Sequence, residues 1–542
     1  MKSVDGYDKL RGGYYTPAPI SDFLVQWAVR SPNDRILEPS CGDGSFLRAI
    51  AQQMTALGAS PDQLRRQVTG VELDKNEAKK SRQYGARVVN QDFFTYYDTH
   101  IDGKTPYDAI VGNPPFIRYQ NFVEDYRRTA FSLMERHGFH PNRLTNIWLP
   151  FLLLACKALK PGGRVGMVIP AELFQVNYAA EARLFLSSYL ESLNLVTFQS
   201  LVFDGIQQEV ILLLGERTSQ RSGIRVVELQ NLDELVSRGT DCFADAEVKR
   251  LDHSQDKWSK YHLTQEELSL LDRLNADPRI SNAKDLFEVN VGLVSGENTF
   301  FVVNQETARQ WDISDCITPI ISRSEQLRGV ILSPEEYQTL SDSGKKVWFF
   351  APGNTPMDAL STGAQAYIRH GEEQGYPRNY KCRVRPVWYH VPQSWTADAF
   401  LIRQANLYPK MVLNQPGALV TDTLHKVRFL EGVDGPSVVA AFLNTYTFAL
   451  SETLGRSYGG GVLTFEPSEM RRMRIPMRYA EQLDLSKIDQ WQRAGDYPRI
   501  LAYTDDILLR QGLGLSAHEI ALLHDIWARM RDRRLTRKAQ RT

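Results

Sequence analysis

From Arg35 to Leu214, short apolar runs alternate with helical patterns, and this rhythm constrains the fold more than any other feature of the chain. Arg35-Ile-Leu-Glu-Pro-Ser, Val68-Thr-Gly-Val-Glu-Leu-Asp, Arg87-Val-Val-Asn-Gln-Asp-Phe, Tyr107-Asp-Ala-Ile-Val-Gly and Arg164-Val-Gly-Met-Val-Ile-Pro read as five strands. Between them lie a helical pattern through Phe46, Leu47, Ile50 and Met54, a charged helix from Lys75, and an apolar helix from Ile147 to Leu159. Lys160-Pro-Gly-Gly is expected to stop that last helix. A helix from Tyr178 to Leu190 then precedes strands at Leu195–Phe203 and Val210–Leu214. Near-continuous apolar strands separated by helices require a parallel sheet covered on both faces. The expectation is an α/β, Rossmann-like domain over residues 1–222, with ligands bound outside the carboxyl ends of its strands.

Each strand end carries polar equipment. After the first come Glu38, Pro39, Gly42, Asp43 and Gly44. A dinucleotide fingerprint would place its third glycine where Leu47 stands, which argues against NAD. Glu72, ending the second strand, is suited to accept hydrogen bonds from both hydroxyls of a ribose. Asp92 and Phe93 end the third, and a carboxylate beside a ring suits an adenine, although a turn cap and a core phenylalanine explain the pair equally well. Together these groups describe a nucleoside-bearing cofactor without a pyrophosphate, and S-adenosylmethionine fits best. The fourth strand runs into Asn113-Pro114-Pro115-Phe116. Neither proline can extend a sheet, because each lacks an N–H and has a fixed φ, and Pro115 holds Pro114 extended. The result is a stiff elbow carrying an amide, exposed carbonyls and an aromatic ring, a set suited to gripping a planar amino group and stacking on its ring.

After a polar break at Gly215–Gly223 the rhythm is lost. Residues 223–280 read as a connecting segment, 281–480 as a separate mixed α+β domain, and 481–542 as a helical segment with a basic tail. From Arg529 onward that tail has seven basic residues against one acid, the composition of a solvated helix end. Lys+Arg and Asp+Glu are equal at 64 each, so a nucleic-acid partner needs a local basic surface. Lys381, Arg383 and Arg385 alternate with Cys and Val as on a strand facing phosphates. Asn414-Gln415 suits adenine edges, although a turn before Pro416-Gly417 is the simpler reading. The five cysteines are scattered, without a Cys-x-x-Cys pair, so neither a disulfide framework nor a metal site is expected. No apolar core follows the first residues, and the longest apolar stretch, Ile147 to Cys156, is too short to span a bilayer; a cytoplasmic protein is expected.

The motif order resembles that of γ-class, TaqI-like and Eco57I-like N6-adenine DNA methyltransferases. The residues that carry the resemblance are Gly13-Tyr-Tyr-Thr-Pro, Ile36-Leu-Glu-Pro-Ser-Cys-Gly-Asp-Gly, Val71-Glu-Leu-Asp, Asn90-Gln-Asp-Phe, Asn113-Pro-Pro-Phe, Ile147-Trp-Leu-Pro-Phe, Lys160-Pro-Gly-Gly and Val202-Phe-Asp-Gly. Asn290-Val-Gly-Leu-Val-Ser-Gly-Glu-Asn and Glu452-Thr-Leu-Gly-Arg-Ser-Tyr-Gly-Gly-Gly resemble that family's target-recognition region. The resemblance implies S-adenosylmethionine held by Thr16, Glu38, Pro39, Gly42, Glu72, Asp92, Phe93, Asn113 and Phe151. It also implies a flipped-out adenine held by Asn113–Phe116 and stacked by Phe116 and Phe203. Where the family often has tyrosine, this chain has Phe116, which stacks equally well but lacks a hydroxyl. Double-stranded DNA is the expected partner and a monomer the expected species on it. In the absence of a nuclease carboxylate cluster, restriction belongs to a separate endonuclease. Two alternatives stay open on sequence alone: methylation of protein glutamine or RNA by the same elbow, and a non-catalytic DNA-binding protein that kept the fold.

Overall fold

The computed structural model describes residues 16–117, 121, 123–174, 176–190, 192–203, 209–217, 223–249, 258–392, 395–458 and 461–539. The chain divides into two compact units, residues 1–262 with 536–542, and residues 263–535.

The first unit is built on a nine-stranded sheet of order β3-β2-β1-β4-β5-β7-β6-β8-β9. Its strands are β1 Ile36–Glu38, β2 Val68–Glu72, β3 Arg87–Asn90, β4 Tyr107–Gly112, β5 Leu159–Pro170, β6 Ser192–Phe198, β7 Val210–Glu216, β8 Gly223–Leu229 and β9 Val248–Lys249. The first five run parallel, and β7 enters antiparallel between β5 and β6. Strand order reverses beside β1, so the carboxyl ends of β1 and β4 flank a topological switch point, where such sheets bind ligands. Ala109, Ile110, Val111, Val165 and Val168 are fully buried. Each buried aliphatic side chain contributes about 1.5–3 kcal/mol relative to exposure, which is why these strands are apolar on both faces. Two hydrophobic clusters cover the sheet, one containing Trp148, Phe151 and Tyr97, the other Ile20, Leu24, Ile50 and Met54.

Three local expectations differ from the structure. The third strand ends at Asn90 rather than Phe93, because the Asp92 carboxylate accepts from Thr95 N–H at 2.8 Å and starts the helix Phe93–His100. Such a side-chain cap satisfies an otherwise orphaned N–H of the first turn. The apolar helix spans Trp148–Lys157, and Lys160-Pro-Gly-Gly lies within β5 as a register shift against β4, not at a helix end. The stretch after Gly223 contributes β8 and β9 to the sheet, β8 pairing in parallel with β6.

The second unit has a five-stranded sheet whose strands, in order, are Phe287–Val291, Leu424–Phe429, Ala399–Ile402, Met411–Asn414 and Ile331–Leu332. Smaller sheets and the helices Leu485–Ala494, Tyr497–Asp505 and Ala517–Ala539 complete it. The basic segment is not a solvated end. Arg534 is paired with Glu452 at 2.9 Å, with both side chains at most 3% exposed, and Arg529 is paired with the buried Glu267 at 2.6 Å. Among the described residues no helix is long and apolar enough to cross a membrane.

Candidate active site

The site grows out of the carboxyl ends of β1, β2 and β4. Past β1 the chain turns through Gly42 at φ +50° and Gly44 at φ +96°. A Cβ on Gly44 would stand 2.6 Å from the Tyr84 ring, so only glycine fits that left-handed position. Glu72 braces the turn: its two carboxylate oxygens accept from Gly42 N–H at 2.8 Å and Asp74 N–H at 2.7 Å. Asn90 donates its side-chain amide to the carbonyls of Glu72 and Leu73, both at 2.9 Å, and so joins the tips of β2 and β3. Pro39 lies over the end of β4, where a Cβ on Gly112 would be 3.4 Å from its ring.

Asn113 leaves β4 at this point. Its Nδ2 donates to Thr16 Oγ at 3.2 Å, and its backbone carbonyl accepts from Ser40 Oγ at 3.3 Å. The elbow is therefore tied to the tip of β1 and to the start of the first helix. Phe116 is half-buried and packs against both clusters that flank the sheet. Phe203 is buried in the second of them. Phe93 is 3% exposed and stacks on Phe151 with ring centroids 4.8 Å apart and planes at 17°. The structure brings Thr16, Glu38, Pro39, Gly42, Glu72 and Asn113 to one edge of the sheet and stacks Phe93 on Phe151. Asp92 adjoins them at the start of its helix. Of the motif Gly13-Tyr-Tyr-Thr-Pro, residues 13–15 lie outside the described residues, as do residues 204 and 205 of Val202-Phe-Asp-Gly and residues 459 and 460 of the triple glycine.

Electrostatics define what the edge can bind. Glu38 is 1% exposed. Its carboxylate accepts from Leu47 N–H, and its Oε2 has no hydrogen-bond partner among the described residues. Burial, then the nearby Glu72 and Asp43 carboxylates, raise its pKa well above the ordinary range. Burial also raises Glu72, against the two N–H bonds it accepts, and raises Asp92. None of the three forms an ion pair among the described residues. Carboxyls raised in this way, with no ion pair among the described residues, suit a cationic ligand, which would favour their charged forms. A ligand with an ammonium and a sulfonium charge, a ribose and an adenine fits this donor set, and the glycine turn leaves backbone accessible to it.

Two participants were not singled out from sequence. Ser40 fixes the backbone of the elbow, and Leu73 presents an apolar side chain, 50% exposed, beside Glu72. In the second unit Lys381, Arg383 and Arg385 do not lie on a strand, because Tyr380–Arg383 is a short helix. Arg385 is committed internally, donating to the carbonyls of Ser295 at 2.7 Å and Val294 at 2.8 Å. Asn414 reads no base edge. It is buried, donates to the carbonyls of Ala397 and Ala418, and accepts from Ala418 N–H, closing the turn at Pro416-Gly417.

Both halves of the chain are similar to known proteins. Residues 4–270 match the N-6 DNA Methylase family, and residues 255–509 match the C-terminal domain of Type II methyltransferase M.Eco57I. Type II methyltransferase M.AccI of Acinetobacter calcoaceticus is 21% identical over 88% of this chain and 86% of its own. M.XamI of Xanthomonas campestris pv. amaranthicola is 24% identical over 86% and 85%. Among solved structures, the Type IIL restriction-modification enzyme MmeI in complex with DNA shares the fold at a TM-score of 0.60 and 10% identity, covering 95% of this chain and 75% of that one. The chain thus carries, in succession, a region of the N-6 DNA methylase family and a region of the M.Eco57I C-terminal domain family.

Proposed function

We propose that the elbow Asn113–Phe116 receives an adenine turned out of duplex DNA, and that the strand-tip carboxylates hold S-adenosylmethionine beside it. The chain is an adenine-specific DNA methyltransferase of the Type II restriction-modification kind. The observation that carries the detailed reading is the tether of Asn113 to Thr16 and Ser40, which puts one rigid amide at the switch point among uncompensated carboxylates.

When bound, the cofactor supplies an electrophilic methyl group on a positively charged sulfur. In this reading Glu72 would take the ribose hydroxyls, Asp92 and Phe93 the adenine, and Glu38 the cationic end, with Phe151 backing the aromatic wall. The exocyclic nitrogen of adenine is a weak nucleophile because its lone pair is delocalised into the ring. With its nitrogen turned to Thr16 Oγ, the Asn113 amide offers its oxygen as the acceptor for one amino hydrogen. The Pro114 carbonyl takes the other hydrogen. Accepting both hydrogens out of the ring plane pyramidalises the nitrogen and frees its lone pair for in-line attack on the methyl carbon. The surplus proton leaves afterwards to water. No cysteine is called on; burial and the neighbouring Glu38 push the nearest thiol, Cys41, far up. Positioning of this kind supplies of order 7–11 kcal/mol at best.

Turning a base out of the stack costs a few kcal/mol, and stacking on Phe116 and Phe203 returns roughly 1–3 kcal/mol per base contact. Phe116→Ala is therefore expected to lower both the rate and the 2-aminopurine fluorescence that reports an extruded target. Phe116→Tyr should retain both. Residues 281–480 are assigned to reading the target sequence, a separate endonuclease to restriction, and a monomer to the active species. Incubation with labelled S-adenosylmethionine and duplex DNA, RNA or a glutamine-bearing release factor tests the whole reading. Label transferred to RNA or protein but not to adenine in DNA would end it.

A further inference from the structure

Residues 376–385 carry four cations and no acid, and their arrangement differs from a strand facing phosphates. Tyr380 is 66% exposed on its short helix, with Lys381 Nζ 5.8 Å and Arg383 Cζ 6.0 Å from the centre of its ring. Lys381, Arg383 and Arg378 are exposed, and none has an ion pair among the described residues. Val384 and, on the adjoining loop, Val294 are also exposed, at 59% and 40%. A single exposed apolar side chain needs no explanation; three on two touching loops, among unpaired cations, form a surface made for a ligand that is both anionic and apolar.

The backbone beneath this surface is held firmly. Arg385 spans the carbonyls of Val294 and Ser295, and Asn379 Nδ2 donates to Glu297 Oε2 at 2.8 Å. Gly296, at φ +88°, lets the two loops touch; a Cβ there would stand 2.9 Å from Lys381 Cβ. The ring is thus presented on a fixed platform, so little side-chain freedom is lost on contact.

We propose that Tyr380, Lys381 and Arg383 grip one strand of the DNA substrate, the two cations on successive phosphates and the phenol ring against the nucleotide between them. Arg385 is the positioning residue of this grip and does not touch DNA. The inference rests on the DNA-methyltransferase reading. It adds to that reading the side chains of the second unit that bear on the backbone, and phosphate contacts of this type set register rather than sequence preference.

The test measures equilibrium binding of the full-length protein to a cognate duplex across a salt series. Each phosphate contact contributes about 0.9 to the slope of log affinity against log salt, so the double variant Lys381→Ala with Arg383→Ala is expected to lower the slope by ~1.8. Tyr380→Ala should lose about tenfold in affinity through the missing stack, while Tyr380→Phe stays within about twofold. All three side chains are exposed, so melting temperature and cofactor binding should stay at wild-type values and separate contact from folding. An unchanged slope in the double variant, or loss of anionic-vesicle binding without loss of DNA binding, overturns the proposal. An unchanged affinity in Tyr380→Ala overturns the role of the ring. Wild-type protein that methylates no DNA would instead defeat the reading underneath, a separate and recognisable result.

Discussion

Asn113→Ala is expected to abolish methyl transfer while leaving cofactor affinity within a few-fold of wild type. On the proposed mechanism the amide is one of two acceptors for the target amino group, and its contribution exists only while that nitrogen pyramidalises. Removing a preorganised group of this sort from a water-excluded site costs of order 10²–10³ in rate. The loss should fall on kcat under saturating DNA, since a uniform binding loss would raise KM alone. The substitution also removes the bond to Thr16, so Thr16→Val, which deletes that tether but keeps the amide, separates the two losses and should cost less than Asn113→Ala. Single-turnover kinetics with isothermal titration of a cofactor analogue checks both. An Asn113→Ala enzyme retaining more than about a tenth of the wild-type rate would mean that the elbow does something else.

Glu38→Gln is expected to weaken S-adenosylmethionine binding by about a hundredfold or more, because an uncompensated buried cation costs roughly 3–5 kcal/mol. The same change should raise the melting temperature of the unliganded protein. The sign follows from the raised pKa of Glu38. In the folded, empty site the carboxyl keeps its proton over a window that starts above the ordinary glutamate range near about 4.3, whereas the unfolded chain has already lost it. Stability of the empty protein therefore falls as pH rises through that window, and glutamine abolishes the fall. A cationic ligand prefers the ionised carboxylate, so wild-type affinity should rise with pH through the same window and binding should release a proton. Titrations in buffers of different ionisation enthalpy would show that release. A wild-type affinity that is flat with pH, or equal in the glutamine variant, would place the ligand's positive end elsewhere.

The site was legible because its parts are local to strand ends. Glu38, Glu72 and Asn113 each follow a short apolar run, and a parallel sheet necessarily brings such ends to one edge. What the sequence hid depends on partners far along the chain or on competition between local rules. Asp92 suited an adenine contact and a helix cap; the cap is formed, and it shortened β3. Lys160-Pro-Gly-Gly carries helix-stop chemistry, yet β4 recruits it as a bulged strand start because Lys160 reaches Asp108 at 2.8 Å. The alternating cations after Tyr380 have the period of a strand, but no neighbouring strand pairs with them and Arg385 is drawn to the 294–295 carbonyls. The basic terminal helix looked solvated because the carboxylates that neutralise it, Glu267 and Glu452, lie 262 and 82 residues earlier.

That separation governs the order in which the protein is made. The nine-stranded sheet draws all its strands from residues 36–249, so its half can close while later codons are still being read. Glu267 and Glu452 leave the ribosome long before the arginines that neutralise them, and a buried carboxylate without its partner is strongly unfavourable. The second unit must then wait for its last helix. Protease probing of stalled nascent chains should find residues up to about 260 protected early, and the remainder protected only after Arg534 emerges. Such a delay would complete the sheet-bearing unit before the unit that follows it in the chain.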